Sequence, residues 1–342
     1  MTFTETRPWA KAIKAAVLTG NMPPWFADPK YGHFRNERRL TAAEVKTLVT
    51  WVETGAARGK EEDQPAPIRF AQGWSIGEPD FVVQFPKEIQ LPATGNMEQA
   101  NLVVKVNFPR DAWIKAAEIR PGNSRVVHHM KAWIRPPGSA WLKDAPEGEL
   151  YVSRRGPPPS APGPSQEILA KYNPGVNAQD FTAGDAAKFI PAGSDVVFEI
   201  HYVTTGKPET DRSRVGIVFA ADPPKLRHVT LTGINNTGFV IPARATNHEV
   251  IAESTLLNDA RIAWVQPHMH YRGKDYELRA QYPSGETEIL LKARFDFNWQ
   301  LGYEFAKPIL LPKGTRLEMT VHYDNSANNR FNPNPDIEVR YG

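Results

Sequence analysis

Five of the nine histidines fall in three short segments whose spacings suit metal ligation. They are the adjacent pair His128-His129 in RVVHHMKAWIRPP, the single His201 in VVFEIHYVTTGK, and His268-x-His270 in WVQPHMHYRGKDYEL. Side chains on an extended strand alternate faces, so His268 and His270 point the same way and can close on one ion. An adjacent pair on a regular strand cannot. His128 and His129 share a metal only through a bulge, a twist or the use of opposite ring nitrogens. Five imidazoles in a chain without cysteine suit copper or zinc better than nickel or iron. His228 and His248 stand alone and read as surface or hydrogen-bonded residues.

Two kinds of element must hold these side chains. The first sixty or so residues read as helical. Thr6 is placed to cap a helix with Pro8 in its first turn, Trp9, Ile13 and Val17 recur at four-residue intervals, and Gly20-Asn21 ends it. Thr41-Ala42-Ala43-Glu44 is a capping box; Val45, Leu48, Val49 and Val52 form the apolar stripe behind it, and Gly55 stands at the C-terminal cap. Pro23-Pro24 excludes helix between the two, and the charged stretch Lys60 to Pro67 reads as a linker.

From Gly73 onward, short alternating runs are separated by Pro, Gly and Asn. They include Asp80 to Phe85, Asn101 to Phe108, Asp195 to Val203, Arg214 to Ala220, Arg261 to Gln266, Tyr276 to Tyr282 and Thr315 to Tyr323. This pattern predicts a mainly β fold of β-sandwich or jelly-roll domains. Arg135 to Gln166, rich in Pro and Gly, reads as a long surface excursion. Pro223-Pro224 follows one strand series and precedes another. The expected organisation is therefore a helical segment at 1–62, a β domain at 63–222 and a second β domain at 223–342. That division places His128, His129 and His201 in one domain and His268 and His270 in the next, which implies two metal sites. His322 shares a strand face with Arg316, Glu318 and Thr320 and is a candidate supplement to the second site.

Composition narrows the function classes. A formal charge of +3, with Lys and Arg scattered among Asp and Glu, gives no footprint for nucleic acid. No apolar run approaches the ~20 residues needed to span a bilayer, and residues 1–20 lack the pattern of a secretory signal. The lack of cysteine excludes disulfides, thiolate metal sites and covalent c-type haem attachment within the chain. Proline, at 31 of 342 residues, fits a loop-rich β protein.

The order HHM, then an isolated histidine in IHY, then HxHxxG at His268, His270 and Gly273 resembles the type II copper, ascorbate-dependent monooxygenases. That family includes the peptidylglycine hydroxylating and dopamine β-monooxygenases, and the resemblance covers roughly residues 75 to 342. It implies two copper ions. One is held by His128, His129 and His201 and delivers an electron; the other is held by His268, His270 and a methionine, and is where O2 is activated and a C–H bond is cleaved. It further implies a small-molecule organic substrate, O2, and ascorbate as reductant. The whole chain is similar to bacterial forms in which this module follows a c-type cytochrome, with TRPWAKAI through VETGA matching the latter half of that cytochrome and Met22 its axial position. By that likeness the expected parent protein is periplasmic or secreted. It carries a signal and a haem-linking motif upstream and the methionine ligand beyond Gly342, and a fused cytochrome or a donor protein feeds it electrons. Met319 faces the core by strand parity. Tyr271, Arg272 and Lys274 are candidates for contacting an anionic substrate, and Phe297, Trp299 and Tyr303 for lining a pocket. The competing class is a non-catalytic copper- or zinc-binding or electron-relay module, since a redox-silent zinc ion can occupy a closed imidazole site.

Overall fold

In a computed structural model the chain is mainly β, of the β-sandwich class, with short helices near its N-terminus. Residues 2–64, 66, 73–95, 97, 99–152, 167–173, 178–230, 234 and 236–341 are described. Part of the proline-rich excursion, 153–166, and positions 65 and 67 of the linker lie outside them. Two compact units form: Ala71–Gly233 is one, and Met1–Phe70 together with Ile234–Gly342 is the other. Among the described residues, no helix is long and apolar enough to cross a membrane.

The unit at 71–233 has two sheets. The larger runs Phe81–Gln84, Arg214–Phe219, Ala112–Arg120, Ala186–Ile190, Leu226–His228, with Gln179–Asp180 beside Ala112–Arg120. The other runs Leu150–Tyr151, Ala100–Val104, Asp195–Tyr202, Val127–Arg135, Glu167–Tyr172 and is antiparallel throughout. Both sheets feed one core: Ile114, Ile119, Val215 and Ile217 come from the first, and Leu102, Met130, Ile134 and Phe198 from the second. Alternation then sends His129, Lys131, Trp133 and Arg135 to the opposite face of the second sheet, along with His201, Glu199, Val197 and Asp195.

The other unit is built on a four-stranded sheet, His248–Thr255, Arg316–Tyr323, Gly273–Gln281, Thr287–Arg294, and a pair, Ala260–Val265 with Tyr303–Leu311. The N-terminal segment is part of its core. Trp25 and Phe34 are buried, with Tyr303 5.0 Å from Trp25 and 5.4 Å from Phe34 between ring centres, and Phe305 5.2 Å from Phe34. Backbone bonds reinforce the docking: Asp28 N–H donates to Lys292 C=O at 2.7 Å, and Ala306 N–H to His33 C=O at 2.7 Å. Residues 1–62, set apart in the sequence by their helical pattern, thus share a hydrophobic core with 234–342. The reason is local: the proline-broken stretch between the helices carries the large apolar side chains and cannot bury them alone.

The helices follow their caps. Thr41 and Glu44 form the expected capping box and the helix Ala42–Glu53 follows, with Gly55 in the left-handed region at φ 96°. The first helical stretch starts earlier than Thr6 suggests. Thr2 and Glu5 form a capping box of their own, and Phe3–Thr6, Arg7–Trp9 and Ala10–Leu18 run on without a break.

Phe34→Ala should destabilise the unit containing it by about 3–5 kcal/mol, because it removes a buried ring touching three others. Denaturant titration followed by near-UV circular dichroism checks this. A loss below about 1 kcal/mol would show that the N-terminal segment is not part of that core.

Candidate metal centres

His128, His129 and His201 come together in the unit at 71–233. Their ligand nitrogens all lie within 4.8 Å of one another, and all three residues are half-buried. Ring centres are 5.3 Å apart for His128 and His129, 5.5 Å for His128 and His201, and 5.2 Å for His129 and His201. The adjacent pair converges through a bulge. Along the ladder Met130 pairs with Ile200 and His129 with His201, but the next pair is Val127 with Tyr202, so His128 is the extra residue. A bulged residue leaves the two-residue alternation and its side chain is re-aimed. His128 therefore joins His129 on the face where His201 already points.

Nitrogens on one ion at about 2.1 Å stand at most about 4.2 Å apart, close to the 4.8 Å bound on this cluster. One row further along the same face, Lys131 Nζ lies 2.6 Å from the buried carboxylate of Glu199. That ion pair keeps the nearest acid of this face engaged and the trio an all-imidazole set. The i, i+2 relations His129-Lys131 and Glu199-His201 are visible in the sequence, although their pairing across strands is not.

The second pair sits differently. His268 and His270 lie beyond Ala260–Val265, in the irregular stretch before Gly273–Gln281, and not on a strand as expected. Alternation persists without a ladder: both histidines are exposed, Met269 between them is buried, and the two rings are 5.2 Å apart at 86°. Gly273 makes this possible, because a Cβ there would stand 2.6 Å from Met269 Cβ and 2.7 Å from the Phe295 ring. The glycine of HxHxxG is thus a close-approach residue that lets Met269 anchor the loop. His268 Nδ1 lies 2.6 Å from Gln300 Oε1, which can only accept, so the proton sits on Nδ1 and the ring lone pair is on Nε2. Although His270 is exposed at its edge, the protein around its ring partly desolvates it and lowers its pKa, which favours the neutral form. Gln300 is 32 positions from His268 and carries no sequence signal of this role.

His322, the candidate supplement to this pair, is engaged elsewhere. Its Nδ1 is 2.6 Å from Asp275 Oδ1 and its Nε2 is 3.4 Å from Glu249 Oε2. Both nitrogens face carboxylates, and the Glu249 and Asp275 positions flank His322 in the sheet register. Among the His, Asp and Glu of the described residues, the trio is the one group of three with ligand atoms this close. Met319 packs against the core.

The residues after the HxH pair tie loops together. Arg272 Nε donates to Asn325 Oδ1 at 2.7 Å, Lys274 Nζ to Asn247 Oδ1 at 2.6 Å, and Tyr271 lies 4.4 Å from the Phe297 ring. Tyr303 is a core residue, and Trp299 packs against the same core. His228 is also structural: its ring is 4.8 Å from Phe181 and its Nε2 3.4 Å from Thr230 Oγ1. His248 opens the strand His248–Thr255 opposite Tyr323. Comparison with protein-family models and with curated proteins finds no match for this chain.

Burial, with the Lys188 ammonium close by, lowers the His228 pKa from 6.5 to about 4. The unfolded chain then binds the extra proton between those values, so stability is intact above pH 6.5 and is lost as pH falls toward 4. His228→Leu should flatten this part of the stability profile, which amounts to about 3 kcal/mol at one unit per 1.36 kcal/mol. Urea unfolding at a series of pH values is the measurement; an unchanged slope in the variant would contradict it.

Proposed function

We propose that this chain is the metal-binding part of a copper-dependent monooxygenase, which hydroxylates a small organic substrate with O2 and electrons from a one-electron donor such as ascorbate. The single observation that carries the reading is the convergence of His128, His129 and His201 through a bulge. Such a feature distorts the ladder and brings the three rings to one face. Three neutral imidazoles form a donor set suited to copper in both of its common oxidation states. When bound, copper supplies one-electron redox chemistry that no side chain provides.

The chain's own residues have distinct tasks in this reading. His128, His129 and His201 would hold the electron-transferring ion, and their partial exposure leaves a path for a donor. Glu199 and Lys131 neutralise each other beside them, so the ligands bring no net charge to the ion. His268 and His270 would hold the second ion at an exposed loop, where substrate and O2 have access. Gln300 fixes the His268 tautomer, and Met269 with Gly273 fixes the loop.

A non-catalytic copper or zinc module, or an electron relay, is the second reading. It is favoured by the engagement of His322 with Asp275 and Glu249, which leaves the HxH pair without a third His, Asp or Glu among the described residues.

Titration with Cu(II), followed by EPR and by oxygen uptake with ascorbate and candidate substrates, separates the two. The monooxygenase reading predicts two bound coppers, the tighter one at the trio, and oxygen uptake that depends on substrate. His201→Ala should weaken the tighter site by at least about tenfold, the loss of one imidazole ligand costing more than 1.4 kcal/mol, and spare the other. Metal binding at the trio alone, or zinc preferred with no oxygen uptake, would favour the module instead.

A further inference from the structure

A second polar site lies in the unit at 71–233, and no histidine is among the residues that line it. It is a cavity of about 400 Å³ whose lining includes Ser75, Glu118, Arg120, Lys171, Tyr172 and Arg214. Three of these are cations and one is a carboxylate. Arg120 and Arg214 are direct cross-strand partners on the antiparallel pair Ala112–Arg120 and Arg214–Phe219. Like charges placed directly opposite destabilise such a pair, so this arrangement calls for a compensating negative charge.

Glu118 offsets only part of it. Its carboxylate accepts from Ser75 N–H at 2.5 Å and from Ile76 N–H at 3.3 Å, and faces Arg120 Nε at 3.2 Å. Arg214 has no carboxylate partner among the described residues. Both guanidinium groups are instead braced by Trp74, with their centres 5.6 Å (Arg120) and 5.3 Å (Arg214) from the ring centre. Trp74 reaches that place because position 216 is glycine: a Cβ there would stand 2.9 Å from the indole. The Trp74 ring thus holds two rigid donor forks in place. Lys171 enters from the edge strand Glu167–Tyr172, and burial, with Lys131 nearby, pulls its pKa down to about 8.

We infer that this cavity binds a small organic oxyanion, a carboxylate or a phosphate ester, gripped by Arg120, Arg214 and Lys171. Guanidinium forks match the oxygen pair of either group, and a cavity of this size accepts a small molecule. Tyr172 and Ser124 add hydroxyl donors at the lining. The site does not depend on a metal at the histidines and stands or falls apart from the proposed function.

The test uses the full chain freed of metal by chelation, with inorganic phosphate and succinate as probes at constant ionic strength, read by calorimetry and thermal shift. At least one probe should bind and raise the melting temperature above a sodium chloride control. Phosphate alone would identify the phosphate arm, and succinate alone the carboxylate arm. Arg214→Gln should weaken binding at least tenfold while keeping or raising the unliganded melting temperature, since it relieves the facing cations. Lys171→Met should weaken binding by severalfold. Lys225→Gln, on an exposed pair with Asp185, should bind as wild type does. The inference is overturned if neither probe binds beyond chloride, or if Arg214→Gln and Lys171→Met both bind as tightly as wild type.

Discussion

The ladder between Val127–Arg135 and Asp195–Tyr202 slips by one residue at His128, and the three-imidazole cluster depends on that slip. Without it, His128 would point into the core formed by Met130, Ile134 and Phe198, where an unpaired imidazole is costly. With it, all three rings share one face, beside an ion pair that removes the nearest competing acid. Each strand is held from behind by its core-facing residues, so the ligands are carried on rigid backbone. Packing fixes the strands, the strands fix the bulge, and the bulge fixes the donor set.

The two histidine sets are held in physically different ways. The trio rides on a ladder in the middle of a five-stranded sheet, whereas His268 and His270 ride on a loop pinned by one inward methionine and one glycine. Ladder backbone opens rarely, while loop backbone opens often. In the proposed function, a site that delivers electrons would benefit from rigidity and one that admits substrate from access, and the two placements would suit that division. The loop is in turn seated on a core whose rings include Trp25 and Phe34 from the N-terminal segment.

Much of this was legible in the sequence. Each of the seven alternating runs named from the sequence contains a strand, although the one from Asn101 to Phe108 is strand only to Val104, because each carries an apolar residue at every second position. The capping box at Thr41 fixed a helix start for the same local reason. The three histidine segments were visible from spacing, and strand geometry limited His128-His129 to a bulge, a twist or opposite ring nitrogens, of which the fold has the bulge. What stayed hidden is non-local. Nothing near Trp25 or Phe34 announces that their partners lie about 270 positions away, and nothing near His322 announces Asp275 across the sheet. The HxH pair kept its alternation but lost its strand, since periodicity reports which way side chains point and not whether a neighbouring strand is present. Arg120 and Arg214 looked like two of many scattered cations until strand pairing set them face to face.

X-ray absorption spectroscopy on the full chain loaded with a single equivalent of copper addresses the central claim most directly. The bulge places three imidazoles on the tightest site, so the spectrum should show nitrogen ligation alone, with the multiple-scattering signature of three histidine rings and metal–nitrogen distances of about 2.0 Å. The same sample of His128→Ala should drop to two rings. A sulfur contribution, a ring count below three in the wild type, or a spectrum unchanged by His128→Ala would contradict the account.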